Sequence, residues 1–156
     1  MKKLLHFVFF AVSFRGFAQV HPSMPPEAND FYNKAMVTIK PALKNLVEIN
    51  SNKFKNRTVN ADSLINELKK NELLKDLNEN DIEAITVLIM VQASKNADAD
   101  LKNLVIKTRS ATDQNPGIKY ESAQQILEQK SRITATIPVV MKRISASGES
   151  TINNLK

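Results

Sequence analysis

Ile82-Glu-Ala-Ile-Thr-Val-Leu-Ile-Met-Val-Gln-Ala93 decides how this chain folds. Only Glu83, Thr86 and Gln92 are polar in it. A helix that is apolar nearly all round is one buried on every side. At 1.5 Å per residue these twelve residues reach about 18 Å, short of the ~30 Å hydrocarbon core of a bilayer. The stretch therefore reads as the central helix of a soluble bundle. Asn80 and Glu83 have the spacing of a capping box at its start, with Asp81 favourably placed in the first turn.

Working backwards, Leu73, Leu74 and Leu77 suggest a short extra turn, and Leu64, Ile65 and Leu68 a helix that Asn60 or Asp62 can cap. Phe31, Ala35, Ile39, Ala42, Leu46 and Ile49 then recur at helical spacing, with Met36, Leu43 and Val47 widening the stripe. Pro41 falls within this pattern without surrounding loop residues, which predicts a kink inside one helix. Forwards, the stripe weakens at Asn96-Ala-Asp-Ala-Asp100 and resumes with Leu101, Leu104 and Val105, leaving one helix or two open. Asn115-Pro116-Gly117 is a turn. A last long helix places Tyr120, Ala123, Leu127, Thr134, Ile137, Met141 and Ile144 inward, with Pro138 as a second kink. No alternating strand pattern appears. The expected fold is all-α: a single-domain bundle of four to five helices, two of them proline-kinked, with Ile85, Leu88, Ile89, Leu104, Leu127 and Ile137 in the core.

The ends are of a different kind. Lys2 and Lys3 precede an apolar run from Leu4 to Phe14, and Gly16-Phe17-Ala18 supplies small residues at −3 and −1 of a cleavage site. Residues 1–18 therefore read as a signal peptide cut between Ala18 and Gln19. Residues 19–28 form a proline-rich extended lead-in, 29–147 the helical domain, and 148–156 a flexible C-terminal tail. Cleavage leaves 138 of the 156 residues and, with Lys2, Lys3 and Arg15 gone, +3 of the formal +6 charge. An exported chain with no cysteine points to a Gram-negative bacterial envelope, periplasmic or fully secreted, since small eukaryotic secreted domains tend to carry disulfides.

Composition excludes more chemistry than it offers. The two histidines are His6, in the signal, and His21, in the lead-in. With neither histidine nor cysteine in the helical body, ordinary zinc sites, Ser-His-Asp hydrolysis and cysteine nucleophiles are all disfavoured. Asp76 to Asp81 and Asn96 to Asp100 imitate the first ligands of a calcium loop, but the glycine and the closing glutamate are missing, so both read as helix caps. No catalytic residue, metal site or cofactor is expected. After cleavage Phe31, Tyr32, Phe54 and Tyr120 are the remaining aromatics, and positive charge is interspersed with negative, which argues against nucleic acid.

Lys53-Phe54-Lys55-Asn56-Arg57 is the densest positive cluster. Lys53, Phe54, Lys55 and Arg57 are the candidate binding residues, for peripheral contact with an anionic membrane surface; the plainer reading is a solvated interhelix loop with Phe54 tucked against the core. Thr86, Gln92, Ser131 and Thr134 interrupt apolar faces, where they would either orient a ligand or bond carbonyls one turn back. The sequence thus predicts a non-enzymatic exported protein that binds an envelope or extracellular protein partner. The alternative is a carrier of a small apolar ligand or lipid within the bundle. Oligomeric state is not legible.

Overall fold

The computed structural model describes residues 23–56, 60–110, 116–144 and 148–156, all helices and connections. Chain order is α1 (Pro26–Thr38), α2 (Pro41–Lys55), α3 (Ala61–Leu68), a 3₁₀ turn (Glu72–Leu74), α4 (Glu79–Ser110), α5 (Pro116–Ile144) and α6 (Gly148–Asn154). Among the described residues, then, there are six α-helices rather than four or five. Residues 1–18, read from sequence as a signal peptide cut between Ala18 and Gln19, lie outside the described residues, as does Arg57.

The first half of α4 is the axle of the molecule. Every residue from Asp81 to Val91 is buried, and α1, α2, α3, α5 and α6 all pack on this helix. Ile85, Leu88, Ile89 and Ile137 are fully buried, as expected. Leu104 and Leu127 are half-buried. The reason is geometric: α2 ends beside Asp100, where Lys55 meets it, and from there the described part of α4 has α5 as its main neighbour. A helix with one neighbour covers one face, so Val105 and Ile106 remain exposed.

Helix directions follow from the pairs that meet. Asp98 meets Lys130, Ser94 meets Thr134 and Glu83 meets Arg143, so α4 and α5 are antiparallel. Asn96 reaches Ser51 and Asp100 reaches Lys55, so α2 runs parallel to α4. Parallel neighbours need a return path, and α3 with the 3₁₀ turn supplies it. Asn60 caps α3 by accepting from the Ser63 N–H at 2.8 Å, and Asn71 caps the turn by accepting from Leu73 N–H at 2.9 Å.

Four boundaries differ from expectation. Pro41 does not kink a helix; it opens α2 at the first helical position, where its missing N–H costs nothing, and Ile39 and Lys40 are extended between α1 and α2. Pro138 does lie inside α5. Pro26 likewise opens α1, so the helical body begins earlier than Asn29. The capping box of α4 is Asn78 with Asp81, not Asn80 with Glu83. Asn78 Oδ1 accepts from Asp81 N–H at 2.9 Å and Asp81 Oδ2 accepts from Asn78 N–H at 3.3 Å. Finally, Gly148–Asn154 is helical where a tail was expected, and Leu155 beyond it is fully buried. The Asn96–Asp100 segment is continuous helix, its carboxylates spent on Lys130 and Lys55 rather than on capping.

Candidate functional site

The candidate cluster on α2 is divided by helical phase. Successive residues point about 100° apart, so Lys53, Phe54 and Lys55 cannot share a surface. Phe54 turns inward and is buried. Lys55 pairs with Asp100 across the α2–α4 seam. Lys53 alone stays exposed, and it stands on the wall of a cleft. Lys53, Phe54 and Lys55 therefore do not share one positive face, and Arg57 lies outside the described residues.

That cleft is what α2 contributes to a candidate site. Its volume is about 260 Å³. One wall is Ala42, Asn45, Ile49 and Lys53 of α2; the other is Glu67 of α3 with Asn71 and Leu73 of the turn. Leu46 and Leu68, both buried, lie at its base, while Ile49 and Leu73 are left 47% and 61% exposed on its rim. It exists because α3 is short. Eight residues and a 3₁₀ turn cannot cover the whole flank of a fifteen-residue helix. Asn50 Nδ2 donates to Leu46 O at 2.8 Å, which holds this amide along the cleft wall. An apolar base between amide and charged walls suits a short stretch of polypeptide better than a phosphate or a sugar, because the apolar groups can take a side chain while the amides hydrogen-bond main chain. Leu73 and Ile49 carry the signal that sequence reading missed: both match apolar stripes, and neither is covered.

A second polar region proves structural. Tyr32 OH donates to Gln92 Oε1; Gln92 Nε2 donates to Asn96 Oδ1 at 2.8 Å; and Asn96 Nδ2 donates to Ser51 Oγ at 3.1 Å and Asn52 Oδ1 at 2.9 Å. Lys95 Nζ lies 4.2 Å from the Tyr32 ring centroid. Gln92 thus ties α1 to α4, and Asn96 ties α2 to it. Thr86 and Thr134 bond carbonyls one turn back, Ile82 O at 2.9 Å and Lys130 O at 2.8 Å. Among the described residues no buried side-chain nitrogen or oxygen lacks a partner.

Burial, and secondarily the charge of Glu48, pushes the Tyr32 phenol above its ordinary pKa of 10.0. The raised acid keeps its proton in the fold when the unfolded chain has lost it. Its stabilising contribution is complete below the unfolded value and is lost as pH rises through the folded one. Melting temperature should therefore fall more steeply above pH 10 for the parent protein than for Tyr32→Phe, measured by circular dichroism across alkaline buffers. Equal slopes would show that Tyr32 is solvated.

Among the described residues, no three His, Cys, Asp or Glu side chains are placed to hold a metal ion, and no helix is long and apolar enough to cross a membrane. The class defined so far is an all-helical domain with one central helix and a mixed-polarity surface cleft. Comparison with known proteins gives no match to a family model, to a curated protein or to a solved structure.

Proposed function

We propose that this is a non-enzymatic exported protein that works by binding a protein of the cell envelope or its surroundings, and that the α2–α3 cleft is where it does so. The observation that carries the reading is the cleft itself: uncovered Ile49 and Leu73 above the buried Leu46 and Leu68, walled by Asn45, Asn71, Lys53 and Glu67. Export rests on the sequence of residues 1–18 alone. A helical body without histidine or cysteine supports a binding role over a catalytic one.

The test places a photocrosslinking residue at Asn45, on the cleft wall, and at Lys142, an exposed position on α5. In intact cells the Asn45 position is expected to capture one discrete protein and the Lys142 position not to. Equal capture at both, or none at either, would remove the cleft from the argument. Intact mass of the recovered protein reports processing in the same preparation: residues 19–156 are expected, and a mass for residues 1–156 would mean the segment is retained. A carrier of apolar ligand would instead release copurified lipid in native mass spectrometry.

A further inference from the structure

The break between α1 and α2 is joined to the opposite end of the chain. Ile39 and Lys40 are extended (φ −67°, ψ 155° and φ −52°, ψ 142°), and Ile39 N–H closes α1 by donating to Ala35 O at 2.9 Å. In a continuous helix the Lys40 N–H would be bonded one turn back. Here it donates to the carbonyl of Leu155 at 3.1 Å, beyond the end of α6. Pro41 has no N–H and starts a new helix, so α1 joins the rest of the chain on its C-terminal side through two extended residues.

Helix α6 has the anchoring of a fastener. Seven residues are too few to stay helical alone, so tertiary contacts must hold it. Leu155 and Thr151 are buried, and Ile152 is half-buried against the core. Asn154 Nδ2 donates to both carboxylate oxygens of Asp81, at 3.1 and 3.4 Å, on the first turn of α4. One short segment thereby grips the start of α4 and the hinge of α1 together. Elsewhere α1 is held by Ala28, Phe31, Tyr32 and Ala35, by the Tyr32–Gln92 bond, and by Lys95 at Tyr32 and Asn33.

We infer that α1 is a lid over the apolar flank of α4, hinged at Ile39–Lys40, and that α6 is the latch that keeps it shut. α1 and α6 open as one local unit while α2, α4 and α5 stay folded, and the open state presents apolar surface of the central helix. None of the α2–α3 cleft residues takes part, so this inference and the binding site proposed above can fail separately.

Hydrogen exchange read by mass spectrometry, on the full chain and two variants, tests it. Leu155→Ala empties the buried anchor, and Asn154→Ala removes only the two bonds to Asp81 at an exposed residue, so the second remains interpretable if the first is poorly folded. Leu155→Ala is expected to speed exchange in α1 about tenfold or more, and Asn154→Ala about threefold, with the peptides covering Ile85–Ala93 of α4 unchanged, as local opening requires. Acceleration spread evenly over α2, α4 and α5 would make α6 a general stabiliser and overturn the latch. Acceleration confined to α6, with α1 at the parent rate, would overturn it equally.

Discussion

Replacing Ile89 by aspartate is expected to abolish the cooperative melt of the domain. Ile89 is fully buried, midway along the stretch of α4 that five other helices enclose. A carboxylate there has no cation within the apolar core to pair with and no water to solvate it, so the substitution costs several kcal/mol for the buried polar group. It also loses the packing of the isoleucine, and large-to-small core changes cost about 2–5 kcal/mol by themselves. Against a total near 5–15 kcal/mol the sum exceeds what a domain of this size can lose. Ile106→Asp on the same helix is the control: that side chain is 52% exposed, and its replacement should stay within about 0.5 kcal/mol of the parent. Thermal circular dichroism of both decides the matter. A sharp transition for Ile89→Asp near the parental temperature would mean that α4 is not the central helix.

That α4 is central could be read from the sequence because the information is local. An apolar perimeter over a twelve-residue stretch of helix has one physical explanation in water, whichever neighbours supply the cover. Asn60 as a cap was legible for the same reason: the amide bonds a backbone N–H three residues on, and nothing distant is needed. What was not legible depends on distant partners. Thr38-Ile39-Lys40-Pro41 and Thr136-Ile137-Pro138 look alike, and the apolar period runs through both. At the first, α1 ends and the Lys40 N–H finds its acceptor at Leu155 O; the second stays within α5, which is packed along α4. Leu155 sits among Asn153, Asn154 and Lys156, a polar context that reads as a tail, and only the docked helix shows it to be core. At the candidate site the difficulty was phase. Lys53, Phe54 and Lys55 are adjacent in sequence, and the helix sends them to a cleft, the core and an ion pair.

Asp81→Ala is expected to cost about 2–5 kcal/mol, which is large for one polar side chain. This is the sum of losing the Asp81 half of the capping box, about 0.5–2 kcal/mol, and the hydrogen bonding of the Asn154 amide to a charged carboxylate, about 1.5–3 kcal/mol. The residue is 2% exposed and serves two elements at once. Its Oδ2 receives the Asn78 N–H that completes the α4 capping box, and both oxygens receive the Asn154 amide of α6. Its negative charge also lies in the first turn of α4, where it favours the N-terminal end of the helix dipole. Asp81→Asn separates these contributions. An asparagine keeps one acceptor oxygen and the side-chain shape but lacks the charge, so it should recover roughly half of the loss. Chemical denaturation of the three proteins, with the slope against denaturant held in view, gives the comparison. Asp81→Ala within about 0.5 kcal/mol of the parent would show that neither the cap nor the α6 contact contributes to stability. An asparagine variant no better than alanine would assign the whole effect to charge at the helix start, and would leave α6 held by its packing and by the Lys40 N–H rather than by Asp81.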